Sequence, residues 1–148
     1  MFNDWSSEQT FPQSNSMAII DHFEVTILVD GDPAAEFDDE EQPSVQSHDS
    51  KVTTKYIEVK SGARFAFKYK VLPSYKSDTE DGLSVRASID GKFISGLLCF
   101  KESVDSRTGF TAIVDSAIVG SGTDMKKLTF SFADLETREN NFLVVIAA

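Results

Sequence analysis

The side chains able to do chemistry are few and poorly placed for it. The chain holds two histidines, His22 and His48, and one cysteine, Cys99. Nucleophilic catalysis needs a hydroxyl or thiol beside a base, with a third group orienting the base. Ser121 lies in Gly-Ser-Gly and lacks the Gly-x-Ser-x-Gly elbow that would expose it on a strained turn. Cys99 sits in the apolar run KFISGLLCF with no base nearby in sequence, the setting of a buried structural thiol. His22 stands at a strand start and His48 among acidic and polar loop residues, neither at a spacing that makes a general base. Two His and one Cys at unrelated spacings make no zinc pattern. No catalytic set can be assembled, and no cofactor or metal is expected.

The carboxylates are more numerous. Asp30, Asp32, Asp38, Asp39, Glu40 and Glu41 offer hard oxygen ligands. A calcium-binding EF-hand loop needs acids at alternating positions, a central Gly and a closing Glu, and neither this stretch nor DTEDG at 78–82 fits. Charge placement says more. Residues 1–50 carry twelve Asp or Glu and no Lys or Arg, whereas 51–148 carry fourteen bases and twelve acids, so the net −10 belongs to the first third. Such a segment either solubilises the chain or docks on a basic partner. Arg64, Lys68 and Lys70, joined by Lys55 and Arg86, form a basic stripe. Nucleic acid would want aromatics interleaved with these bases, but strand alternation sends the rings to the opposite face, and the acidic front repels phosphate. Nucleic acid is therefore disfavoured as a partner.

The elements that must position these groups are strands. The stretch KVTTKYIEVKSGARFAFKYKV, residues 51–71, predicts two strands folded back at Ser61-Gly62. Ala63, Phe65, Phe67, Tyr69 and Val71 fall on one side and Arg64, Ala66, Lys68 and Lys70 on the other. Burying each large apolar side chain is worth roughly 1.5–3 kcal/mol, so this row is a natural centre for a core. Phe23, Val25, Ile27 and Val29 alternate likewise and end at Asp30-Gly31 and Pro33. Residues 35–50, AEFDDEEQPSVQSHDS, have no period and predict an acidic loop. Leu83 to Ile89 alternates and meets Asp90-Gly91, a strong hairpin signal. The following Lys92 to Phe100, apolar on both sides, predicts a central or covered strand. Gly109 to Val119 predicts one strand with Phe110, Ala112, Val114 and Ile118 together. Leu128, Phe130 and Phe132 continue the period, and Phe142 to Ile146 closes the chain as a last strand. About eight mostly antiparallel strands and no long amphipathic helix predict an all-β fold, a two-sheet β-sandwich or jelly-roll-like barrel. Residues 1–16 read as a polar tail in which Trp5 and Phe11 stand isolated among Ser, Gln and Asn, and 17–148 as one domain.

No apolar run approaches the ~18–20 residues that span a bilayer, and the N-terminus lacks the charged and apolar regions of a secretory signal. A single Cys allows no internal disulfide and suits a reducing compartment. The expectation is an intracellular protein of cytoplasm or nucleus, without a membrane.

FEVTILVDG at 23–31, TKYIEVKSGARFAF at 54–67, SIDGKFISG at 88–96 and FSFADL at 130–135 occur in an order that resembles a large family of fungal proteins known only as a domain of unknown function. The resemblance runs from about Met17 to Leu135 and implies a β-sandwich. Its motifs are turn glycines and core aromatics, so it brings no activity, cofactor or site.

The leading functional expectation is a non-enzymatic interaction domain. Glu36, Asp38, Asp39, Glu40 and Glu41 would meet a basic protein, or the Arg64, Lys68 and Lys70 stripe of a second copy. The alternative is a small-molecule or carbohydrate-binding β-sandwich, which predicts a sizeable internal cavity lined by Phe with a few polar groups. For a sugar, Tyr75, Trp5 and Phe37 are the candidate platforms.

Overall fold

Phe23–Val29 and Phe65–Val71 pair antiparallel along their whole length, from Phe23 opposite Val71 to Val29 opposite Phe65. The computed structural model describes residues 18–38, 52–76 and 82–134, together with the backbone of 141–147. In chain order its strands are β1 (Ala18–Ile20), β2 (Phe23–Val29), β3 (Asp32–Pro33), β4 (Glu36–Asp38), β5 (Val52–Glu58) and β6 (Phe65–Val71). They continue as β7 (Leu83–Ile89), β8 (Lys92–Cys99), β9 (Phe110–Val114), β10 (Ser116–Val119), β11 (Lys126–Thr129) and β12 (Asn141–Ala147). The only helices among the described residues are two single 3-10 turns. The expected tail, residues 1–16, lies outside the described residues.

The fold is all-β, built of antiparallel sheets that do not close into a barrel. One sheet runs β1-β2-β6-β9, with β3 also on β2; a second runs β12-β5-β4; β7-β8 and β10-β11 are two-stranded ribbons. Alternation along β2 and β6 gathers Phe23, Val25, Ile27 and Val29 with Phe65, Phe67, Tyr69 and Val71 on one face. Two groups of side chains pack on that face. Val85, with Leu83 and Leu97 of the β7-β8 ribbon, meets Val25 and Tyr69. Ile57 and Val59 from the β5 side meet Ile27, with Phe65, Phe67 and Phe132 against them.

Four expectations change. The hairpin at Ser61-Gly62 does not exist, because β5 and β6 belong to different sheets. Val59 and Ala63 flank the turn and are both buried, so the connection is anchored inside and carries the chain across from one sheet to the other. The 35–50 loop begins with a strand, since β4 pairs Glu36, Phe37 and Asp38 with Ile57, Tyr56 and Lys55. The segment 109–119 breaks at Asp115, whose carbonyl accepts from the Phe130 amide. The break shifts the phase by one residue, so Ala117 is buried and Ile118 is 67% exposed. β8 is not central: among the described residues it pairs with β7 alone, and its Phe93 and Leu98 face outward.

The β7-β8 hairpin turns as expected at Asp90-Gly91, both at positive φ (50° and 74°), which matches the twist of the flanking strands. Gly109 is needed for a second reason: a Cβ there would sit 2.0 Å from the Val71 carbonyl oxygen, where the loop closes on β6.

Ile57 is among the most deeply buried side chains and Ile118 among the most exposed. Ile57→Ala should lose roughly 2–5 kcal/mol in urea unfolding, because its neighbours cannot collapse into the void. Ile118→Ala should stay within about 0.5 kcal/mol of the parent, as surface substitutions do.

Candidate functional site

The face of β2 and β6 is only partly covered. Over it lies a cavity of about 950 Å³. Its floor is Val25, Ile27, Phe65, Phe67 and Tyr69. Alternate residues of β6 supply three of these rings in a row, which is what period-two patterning dictates. Phe67 and Tyr69 lie nearly parallel, centroids 6.2 Å apart, and Phe23 extends the row 6.0 Å beyond Tyr69. At the other end Phe65 stacks on Phe132 at 4.5 Å and on Phe130 at 5.4 Å. The chain after β11 is held there by backbone bonds from Phe65 to Phe130 and between Phe132 and Ala63. The rings of Phe65 and Phe67 are half-buried, as an open space above them requires.

Polar groups gather at the ends and along one wall. His22 Nδ1 and Ser74 Oγ are 2.9 Å apart, and the imidazole meets the Tyr75 ring edge-on, so the β1-β2 turn and the segment after β6 form one rim together with Lys76. The wall opposite is β7: every residue from Leu83 to Asp90 lines the cavity. Burial pushes the Tyr69 hydroxyl up to about 12, so it stays protonated and serves as a neutral hydrogen-bonding group. Burial likewise raises the Cys99 thiol, which leaves it without thiolate character. Among the described residues no group of three His, Cys, Asp or Glu is placed to hold a metal ion.

The residues singled out for partner binding are distributed differently. Lys68 and Lys70 stay on the face of β6 opposite the rings, Lys70 facing Glu24 of β2 and Thr111 of β9 across the strands, and Arg64 stands exposed just before β6, bridged to Ser131. Asp39, Glu40 and Glu41 lie outside the described residues. Glu36 is buried, 8% exposed, on the same side of its strand as Asp38. Asp38 forms an ion pair with Lys55, whose side chain is 7% exposed. Lys55 therefore leaves the proposed basic stripe: it sits on β5, in phase with buried Ile57. That phase was visible in TKYIEV, where a lysine occupies an apolar-side position two residues before Ile57. The cavity wall left no comparable trace, because an unfilled edge depends on which strands fail to meet.

An antiparallel all-β domain with an aromatic-floored cavity is the class that the fold and site define. The chain belongs to the family described as Domain of unknown function (DUF7918), whose model matches residues 22–144. No curated protein and no solved structure matches the chain. Among the described residues no helix is long and apolar enough to cross a membrane.

Glu36 gives the site region a pH signature. Burial raises its carboxyl above the ordinary 4.5, against the pull of the Ala18 and Ile27 amides and of Lys55, and its Oε2 has no hydrogen-bond partner. A raised carboxyl means the folded state holds a proton that the unfolded chain has released, so stability falls as pH climbs from 4.5 through the raised value. Glu36→Gln keeps the shape and removes this cost. Its urea midpoint should gain on the parent steadily as pH rises through that window and match it most closely below the window.

Proposed function

We propose that this domain is a non-enzymatic binding module whose guest sits in the aromatic-floored cavity between the β1-β2-β6-β9 sheet and the β7-β8 ribbon. In this reading the sheets are stacked as a β-sandwich whose two layers stand apart over Phe65 and Phe67. The carrying observation is the cavity: about 950 Å³ over a row of rings, with hydrogen-bonding groups at its rim, along the β7 wall and on Tyr69 of the floor. Ligand sites are typically concave, mainly apolar and supplied with a few polar groups, with volumes of about 300–1,000 Å³. The inventory of the chain adds to this, since Cys99 is buried with its thiol raised, which removes its thiolate as a nucleophile. The lone buried thiol suits a reducing, intracellular setting.

An uncharged apolar dye such as N-phenylnaphthylamine tests the cavity. Its fluorescence should rise saturably at one dye per chain. Val85→Trp, which fills the space, and Phe67→Ala, which removes floor, should each weaken binding tenfold or more with the unfolding transition still cooperative. Ile118→Ser, on an outward-facing apolar position, should change nothing. Equal binding by parent and Val85→Trp would defeat the proposal.

The charge asymmetry favours a second reading, in which the acidic stretch meets a protein partner or a second copy. Its contacts would be Asp39, Glu40 and Glu41, because Glu36 is buried and Asp38 is engaged by Lys55. Self-association through the Arg64, Lys68 and Lys70 face would weaken with salt, over a Debye length of about 8–10 Å. Sedimentation should then show a dimer at low salt that dissociates at high salt and on joint reversal of Asp39, Glu40 and Glu41 to Lys. A monomer at both salt concentrations rejects the self-association.

A further inference from the structure

We infer that the guest of the cavity is an extended peptide segment, added as a strand to the open edge of β7. The inference rests on the cavity being a binding site and names what enters it. A strand that merely turned its inner face to a cavity would line it with alternate residues. Here Leu83, Val85, Ala87 and Ile89 line it together with Ser84, Arg86 and Ser88. The side chains of Ser84, Arg86 and Ser88 are exposed, while Val85 and Ala87 are buried. Only a cavity that runs along the edge of the strand meets both sets.

That edge carries hydrogen-bonding groups. Among the described residues β7 pairs with β8 alone. The Val85 carbonyl oxygen points towards β8, lying 3.8 Å from where a Cβ on Gly96 would stand. Antiparallel pairs alternate between residues bonded to the neighbour and residues bonded away from it. Val85 thus belongs to the set bonded to β8, and Ser84, Arg86 and Ser88 turn their N–H and C=O groups to the open side. The two-residue turn at Asp90-Gly91 agrees, because it closes on the bonded pair Ile89 and Lys92 and leaves Ser88 facing away. Edge strands are commonly blunted by Pro, Lys or a bulge; β7 contains neither Pro nor Lys, and the register shift between Ala87 and Ser88 places its extra residue, Ile94, on β8 and leaves β7 continuous.

Three open backbone positions two residues apart, about 6.6–6.8 Å, are the repeat of another strand. Phe65, Phe67 and Tyr69 repeat at the same interval in the floor. An added strand would satisfy the backbone groups of β7 with its own and drop alternate side chains onto the rings, the usual division between affinity and specificity in strand addition. Its other side chains would lie level with those of Ser84, Arg86 and Ser88. Arg86 is the one charge on that side of β7. It favours an acidic residue opposite, since opposite charges facing across strands stabilise a pair and like charges destabilise it. The guest is therefore an extended, proline-free segment that alternates apolar and polar residues, with an acid among the polar ones.

A labelled seven-residue peptide alternating Val and Thr, with Glu as its central polar residue, tests this by anisotropy and by displacement of the apolar dye. It should bind and displace the dye. N-methylation of one alternate set of its amides should weaken binding at least tenfold, and methylation of the other set should be tolerated, because only one edge meets β7. Replacing Glu by Lys should weaken binding to the parent, and Arg86→Glu, at an exposed position, should reverse that preference. Dye binding that no peptide displaces, or equal tolerance of both methylated sets, would overturn strand addition and leave the cavity standing. Failure of the dye itself would remove the cavity reading and this inference with it.

Discussion

A strand has two faces and no third choice, and in this protein that constraint acts most strongly where β2 meets β6. Seven consecutive residue pairs set four apolar side chains of β2 beside three rings and a valine of β6. Once this register is made, the rings must be removed from water by something else in the chain. The β7-β8 ribbon covers the Tyr69 end through Val85, and the β5 side covers the Ile27 end through Ile57 and Val59. Each covering unit is small. Between them Phe65 and Phe67 remain half-covered, and the cavity is the space that results. A binding module can use such incomplete cover, because apolar surface left open in the free protein is what a guest removes from water.

Among the described residues three charged side chains are buried, Glu24 on the face of β2 away from the rings and Glu36 with Lys55 at the β4-β5 pair. Glu36 and Lys55 are charged side chains on the inner side of the β4-β5 pair, and the Lys55 ammonium reaches Asp38. Burying ions is expensive unless they are paired, and the Glu36 carboxyl is only partly compensated, which is why its proton is held more tightly. The pair also ties down the start of the acidic stretch. Of the six carboxylates in 35–50, Glu36 and Asp38 are thus engaged within their own chain.

The exposed apolar side chains need a different account. Phe93 and Leu98 face outward on β8, and Ile118, Met125 and Leu128 on the β10-β11 ribbon. Folded proteins expose much apolar area, and scattered residues of this kind carry no message by themselves. The Phe93 ring lies over Gly96, 3.5 Å from where a Cβ would be, so part of it is sheltered by its own strand.

Local alternation was enough to reveal β2, β6, β7 and the Asp90-Gly91 turn, because side-chain direction on a strand depends only on the residues next to it. The burial of the lone Cys99 was equally plain from its place in an apolar run. What the sequence by itself could not decide was which strands meet. The turn at Ser61-Gly62 looked like a hairpin, yet buried Val59 and Ala63 carry the chain to another sheet. The apolar period through 109–119 looked continuous, yet a single bond to Asp115 shifts it and turns Ile118 outward. Lys55 looked like surface charge, yet its pairing with Asp38 is made across a strand neighbour distant in sequence. The cavity and the open edge of β7 arise from contacts that are not made. Pairing and its absence are long-range choices, set by competition among all strands for a limited amount of buried face, and only the tertiary structure records the outcome.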